Sequence, residues 1–281
     1  MMEIIALIEN ETCQQHSDLK AEAGLSLLIK LGKQNILFDT GSSGAFADNA
    51  KKLGVDLSTI DFVVISHAHF DHTGGLERFF EINSTAKVFI KVQAKERYFY
   101  KLFFLKKNIG TNQDLFRKYA DRFIFVEDDL HISDNISIVT KITNKHKLPS
   151  DSKHLFTKKN KKLVQDNFSH EQMLLIIEKD SFYCFTGCSH HGILNMVESA
   201  QELANGNKIS VIGGFHMYNP LTKGLSEKKE DVIKIAQLLK DNKNIDKIVT
   251  GHCTGKGAFR LLKNVLGEKL INLNTGSRIV I

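Results

Sequence analysis

The apolar positions fall in short runs, not long amphipathic stretches. Residues 3 to 9 (EIIALIE) read as a strand. Residues 25 to 41 (LSLLIKLGKQNILFDTG) read as two strands joined by a turn at Gly32-Lys33-Gln34, because glycine among polar residues interrupts an apolar run. Residues 44 to 53 place Phe46, Ala50 and Leu53 at helical spacing. Residues 60 to 66 (IDFVVIS) are apolar and β-branched, the mark of a strand covered on both faces. Gly74-Gly75 then leads into a helix from about Leu76.

The middle is less regular. Residues 87 to 92 form a strand, and residues 93 to 120, basic and aromatic, are expected to be largely helical. Residues 121 to 165 mix short strands with a lysine-rich stretch near 141 to 162. Residues 93–165 therefore read as a basic insertion or lid within a single domain, 1–281. From Met173 the order returns: strands MLLIIE and FYCFTG, a helix over 192 to 204, the strand KISVIGG, an amphipathic helix over 225 to 241, the strand DKIVTGH and a final strand at 277 to 281. In each half strand pairs come first and strand–helix alternation follows, which predicts an α/β fold of two packed sheets with helices outside.

With 281 residues, 42% of them hydrophobic, the chain can bury one large core. No run of 18 apolar residues is present, so no spanning segment is expected, and the N-terminus lacks the pattern of a signal peptide. Four cysteines without framework spacing then predict free thiols in a reducing, cytoplasmic compartment. The net charge of +6 is uneven: residues 91 to 165 hold 17 Lys/Arg against 8 Asp/Glu. Such a segment suits a solvated surface, an anionic substrate or a nucleic acid.

The stretch SHAHFDHTGG (66 to 75) is the strongest chemical signal. Side chains two apart on an extended segment point the same way, so His67 and His69 aim together as the strand ends. Asp71 and His72 follow where the chain turns toward a helix, and can aim at a second point. Imidazoles with a carboxylate suit zinc, iron or manganese better than calcium or magnesium, and two ligand sets suggest two ions sharing a water. Other strand tips offer partners: Cys188, His190 and His191 in FTGCSHHG, His216 in GGFHM, His252 and Cys253 in TGHCTG, and His170 before the strand at 173. A lone histidine at a strand end is more often a hydrogen-bonding residue. The recurrence at several tips is the signal, because sites assemble at the C-terminal ends of strands in layered α/β folds.

This pattern resembles the metallo-β-lactamase-fold hydrolase superfamily, whose His-x-His-x-Asp-His signature stands at 67 to 72 and whose early aspartate stands at Asp39. The resemblance implies an αββα four-layer sandwich of two mixed β-sheets flanked by helices, with one or two metal ions. It is weakest from about 80 to 165. GLSLLI, ILFDTG, SHAHFDHTGGL, HEQMLLI, TGCSHHGILN, GGFHM and GHCTG look like one branch, whose members are labelled metal-dependent hydrolases or dihydropterin–ribofuranosylaminobenzene-phosphate (dihydropteroate-type) synthases. The chain departs from that branch at Ala23, where many members have histidine, which bears on the substrate.

By position the resemblance gives His67, His69 and His170 to a first metal, and Asp71, His72 and His252 to a second. Where most members carry a bridging aspartate this chain has Cys188, and either Cys188 or His190 takes that place. Asp39 would hold a ligand histidine, or else simply form a turn.

Three functions follow as expectations. In the first, metal lowers the pKa of a bound water toward about 7, and the resulting nucleophile attacks a phosphate-containing or other anionic small molecule, with Asp71 and His216 as proton-handling groups. In the second, the metal is a Lewis acid for C–N bond formation between a pterin-methyl diphosphate and an arylamine. In the third, the basic patch with Tyr98, Phe99, Tyr100, Phe103 and Phe104 binds single-stranded nucleic acid. An unbroken ligand set argues against the third, so nucleic acid is not the expected partner.

Overall fold

The computed structural model describes residues 2–281. From the N-terminal side the elements are β1 (Met2–Ile8), β2 (Ser26–Leu31), β3 (Gln34–Phe38), α1 (Ala45–Lys52), β4 (Phe62–Val64), α2 (Phe70–Thr73), α3 (Leu76–Ile82) and β5 (Lys87–Lys91). Next come β6 (Tyr98–Leu102), β7 (Leu105–Asn108), α4 (Asp114–Lys118), β8 (Phe123–Val126), β9 (Leu130–Ser133), β10 (Ile136–Val139), β11 (Leu155–Lys159) and β12 (Lys162–Gln165). The remainder holds β13 (Met173–Glu178), β14 (Ser181–Phe185), α5 (Ile193–Ala204), β15 (Lys208–Ile212), the short β16 (Tyr218–Asn219) and β17 (Gly224–Leu225), α6 (Lys229–Asp241), β18 (Ile245–Thr250), α7 (Gly255–Leu266), β19 (Leu270–Asn272) and β20 (Arg278–Val280).

These elements divide into two units. The first holds the chain up to Glu127 with Leu155–His170 and Leu273–Ile281. Its main sheet runs β20-β1-β2-β3-β4-β5-β8. β1, β2 and β3 are antiparallel, whereas β3, β4, β5 and β8 are parallel. β4 lies between β3 and β5, with Val64 opposite Phe38 and Phe89, and all three of its residues are buried, as its unbroken apolar run predicts. Phe46 of α1 and Leu76 and Phe79 of α3 pack into the same core as Val63 and Val88.

The second unit comprises Asp128–His154 and Glu171–Asn272. Its sheet runs β19-β18-β15-β14-β13-β10-β9, antiparallel from β9 to β14 and parallel from β14 to β19. Met196, Val197 and Ala200 of α5 and Ala258, Leu262 and Leu266 of α7 share a core with Val211 and Ile248. Each unit thus has the same plan, an antiparallel meander followed by helix-linked parallel strands.

Residues 93 to 120 are not largely helical as expected. β6 and β7 form a hairpin, and β11 and β12 extend it to a four-stranded sheet, β12-β11-β6-β7. β8 joins the first unit's main sheet, and β9 and β10 belong to the second unit's. The strands carry no clean alternation to read: Tyr98 is buried, Phe99 and Tyr100 half-buried and Lys101 exposed, and all of β7 is exposed.

The glycine pair after the histidine motif has a steric cause. A Cβ on Gly74 would lie 2.1 Å from the Ser42 carbonyl oxygen, and one on Gly75 would lie 2.2 Å from that of Thr40. Only glycine lets the α2–α3 junction rest on the segment that follows β3. All four cysteines are free. No helix among the described residues is long and apolar enough to cross a membrane.

Candidate functional site

In the first unit the site grows from the tips of β3 and β4. Asp39 is fully buried and has φ +59°, so its carboxylate turns back under the β4 loop. Oδ1 accepts the Ser66 backbone N–H at 2.7 Å, and Oδ2 accepts the Ser66 hydroxyl at 2.7 Å and lies 2.6 Å from His72 Nδ1. A carboxylate on Nδ1 fixes the proton there and turns Nε2 into the lone-pair donor. The Ser66 hydroxyl also lies 2.9 Å from His67 Nδ1. Ring centroids of His67 are 4.7 Å from those of His69 and 4.1 Å from those of His72. Asp71 Oδ2 stands 3.6 Å from His72 Nε2. His67, His69, Asp71 and His72 are therefore gathered in one place, all but Asp71 fully or almost fully buried.

His170, to which the resemblance gave a ligand role, makes two hydrogen bonds here. Its Nδ1 accepts the Ala68 backbone N–H at 3.1 Å, so the proton sits on Nε2, which faces Asp166 Oδ2 at 3.0 Å. Burial raises the Asp166 pKa, but the neighbouring His170 and His69 and the Phe168 N–H outweigh it and hold the carboxyl below its usual value. In this arrangement both His170 nitrogens are engaged, and ligand atoms of His69, Asp166 and His170 lie within 4.8 Å of one another. Ala68 lies between His67 and His69, so His170 pins the backbone that carries both. His170→Asn should therefore keep the full metal stoichiometry at saturating metal, with affinity lowered about 10–100-fold through lost support. His67→Asn should lose an ion outright. Metal analysis after equilibrium dialysis checks both, and loss of an ion in His170→Asn would mark it as a ligand.

In the second unit the loops after β14, β15 and β18 carry the candidates. Cys188 Sγ lies 3.3 Å from His252 Nε2. Ligand atoms of Cys188, His190 and His216 lie within 4.8 Å of one another, with the His190 and His216 rings 4.3 Å apart. Glu171 is buried and holds this loop by its backbone: its oxygens accept N–H of His190 at 2.7 Å and of His191 at 2.9 Å, and lie 2.7 Å from His191 Nδ1. His191 is thereby tied to Glu171. Cys253 Sγ accepts the His216 backbone N–H at 3.2 Å. Burial pushes the Cys253 thiol up, but hydrogen bonding with Cys188 and the nearby His252 and His216 imidazoles pull its pKa well below the usual value. Burial likewise disfavours charge on His216, and contact with Cys253 outweighs it and raises the His216 pKa.

Asp39, Ser189, His216 and His252 all have positive φ, between +46° and +59°. That conformation strains a residue with a Cβ and clusters at functional loops. The donors are buried imidazoles, a carboxylate and a thiol, a set that suits zinc or iron better than the hard cations calcium and magnesium. The residues present therefore fit a metal of that class.

Residues 19–139 match the profile of the metallo-beta-lactamase superfamily. A Methanocaldococcus jannaschii protein named 7,8-dihydropterin-6-methyl-4-(beta-D-ribofuranosyl)-aminobenzene-5'-phosphate synthase is 31% identical over 93% of this chain and 90% of its own. The chain belongs to the metallo-β-lactamase superfamily. Among solved structures, Tm1679, described as a metal-dependent hydrolase of that superfamily, is 27% identical with a TM-score of 0.83, over 100% of this chain and 99% of its own. YhfI from Bacillus subtilis, a metallo-β-lactamase-fold protein, is 12% identical with a TM-score of 0.59 over 99% and 98% of the two chains, and shows the fold alone. The fold class expected from the signature is thus the one found, and the superfamily's members named here include enzymes.

Sequence reasoning passed over Glu171, Asp166 and Ser66. Signals existed for two of them. Asp166 stands four residues before His170, and Glu171 stands directly after it. Ser66 gave none, since a serine at a strand end is commonplace.

Proposed function

We propose that the chain is a metal-dependent transferase that forms a C–N bond between a pterin-methyl diphosphate and an arylamine. The supporting observation is the 31% identity, spread over 93% of the chain, to a protein named as a synthase of a 7,8-dihydropterin-6-methyl-(ribofuranosyl)-aminobenzene-phosphate compound. This reverses the order that the motifs alone suggested, in which hydrolysis came first.

The proposed ligands are His67, His69, Asp71 and His72, with Cys188, His190 and His252, for one or two ions of zinc, iron or manganese. When bound, the metal would supply a Lewis acid that offsets the charge of the departing diphosphate. The chain's own groups handle the proton. As the amine nitrogen bonds to the methylene carbon, the carbon–oxygen bond to diphosphate breaks and the nitrogen must lose a proton. Asp71, the one partly exposed acid of the motif, is the proposed acceptor, and His216 the proposed second proton carrier. A cytoplasmic setting would keep the thiols of Cys188 and Cys253 reduced.

Hydrolysis stays as the second reading, favoured by the description of Tm1679 as a metal-dependent hydrolase. There water replaces the amine. Incubation with a dihydropterin-methyl diphosphate and either p-aminobenzoate or a ribofuranosyl-aminobenzene phosphate separates the two. Coupled product with release of diphosphate is the expected result. Cleavage of the diphosphate compound without coupling would support hydrolysis, and inertness toward all three would overturn the substrate class. Metal content of protein purified without added metal, with an anomalous-scattering map, tests the ligand set separately from the reaction.

A further inference from the structure

The hairpin of β6 and β7 ends in an apolar apex that stays in water. Phe103 is 84% exposed, Phe104 103% and Leu105 69%. Phe103-Phe104 is a two-residue turn between the paired Leu102 and Leu105. Phe103 has φ +50°, the conformation for which hairpin turns favour glycine or asparagine. Phe103 is unfavourable in backbone strain, and both phenylalanines are unfavourable in exposed apolar surface. Neither cost is explained by packing within the fold.

The charge behind the apex is equally one-sided. Lys101 is paired directly with Lys106, and like charges opposite one another across two strands repel. Lys107 follows, with its Nζ 4.8 Å from the Phe70 ring centroid, while Lys106 Nζ sits 4.2 Å from that of Phe99. No acidic residue occurs between Arg97 and Asp114. An apolar tip with a cationic collar matches an anionic lipid surface, where the apex enters the headgroup–acyl boundary and the lysines meet phosphate.

We propose that the β6–β7 hairpin is a peripheral anchor for anionic bilayers, in which Phe103, Phe104 and Leu105 insert and Lys101, Lys106 and Lys107 bind headgroup phosphates. No spanning segment is expected from the sequence, and peripheral contact needs none. Two other occupants fit less well. Two copies meeting tip to tip would bring the same lysines together. Single-stranded nucleic acid stacks on aromatic platforms, whereas this apex is flanked by Leu102 and Leu105.

The test is co-sedimentation of the full chain with phosphatidylcholine vesicles, with or without phosphatidylglycerol. Binding should appear only with phosphatidylglycerol, weaken as salt rises, and fall at least about tenfold in F103S/F104S. K101E/K106E should also reduce it, and the circular dichroism of each variant checks folding. A wild-type chain that stays in the supernatant overturns the proposal, as does F103S/F104S binding as well as wild type. If the phenylalanines instead control self-association in sedimentation velocity, or retention of an oligonucleotide, the apex is a contact of that other kind and the lipid assignment fails.

Discussion

Asp71→Asn should lower the rate of the proposed reaction about a hundred- to ten-thousand-fold, the usual span for a positioned proton acceptor. The side chain is 23% exposed, with Oδ2 3.6 Å from His72 Nε2, and the Asp71 carbonyl oxygen accepts the Leu25 N–H at 3.2 Å. Asparagine keeps the shape and loses the charge. The same change should weaken metal binding, since a neutral amide is a poorer ligand than a carboxylate. Single-turnover rates at saturating metal separate the two effects: a rate that recovers fully as metal rises means that Asp71 is a ligand only. A variant that turns over within threefold of wild type, with unchanged metal affinity, would remove Asp71 from both roles.

Much of this was legible because two kinds of residue carry strong local signals. Apolar runs such as Phe62-Val63-Val64 state that a strand is covered on both faces, and ligand-type residues at the tips of such runs state where chemistry gathers. β6 and β7 were misread because they are short, lack a buried–exposed alternation and are rich in aromatics, which suit helix cores as well as sheets. Supporting residues are harder still. Asp39 was open to two readings from its sequence, turn former or partner of a histidine, and its 2.6 Å approach to His72 Nδ1 depends on a positive φ that no pattern encodes. His170 shows what a motif leaves out. Its place in the motif order suggests a ligand, and only the structure shows the Ala68 N–H and the Asp166 carboxylate that it also engages.

A common device emerges from the two units. One donor loop in each unit is held from beneath by a buried carboxylate that is itself no proposed ligand: Asp39 under Ser66 and His72, Glu171 under His190 and His191. Strained backbone at Asp39, Ser189, His216 and His252 needs such fixed anchors, because a loop free to relax would leave the left-handed region. Preorganisation of the donors is thus built into folding and does not wait for a ligand.

That argument makes Asp39→Ala the substitution with the largest expected cost in stability. It removes a fully buried carboxylate and takes the acceptor from the Ser66 N–H and the His72 imidazole, while the Ser66 hydroxyl keeps only its contact with His67 Nδ1. Leaving a buried donor without its acceptor costs about 1–3 kcal/mol, and with two such donors urea unfolding of the metal-free protein should show a loss of about 2–6 kcal/mol. Using metal-free protein keeps weakened metal binding out of the measurement. Asp39→Asn should cost less, since its amide oxygen can still accept the Ser66 N–H. It should nevertheless lower metal affinity about 10–100-fold, because an amide NH2 facing Nδ1 drives the His72 proton to Nε2, where the ligand lone pair is needed. If both variants unfold at the wild-type urea concentration, Asp39 is a turn former and the His72 tautomer is set by something else.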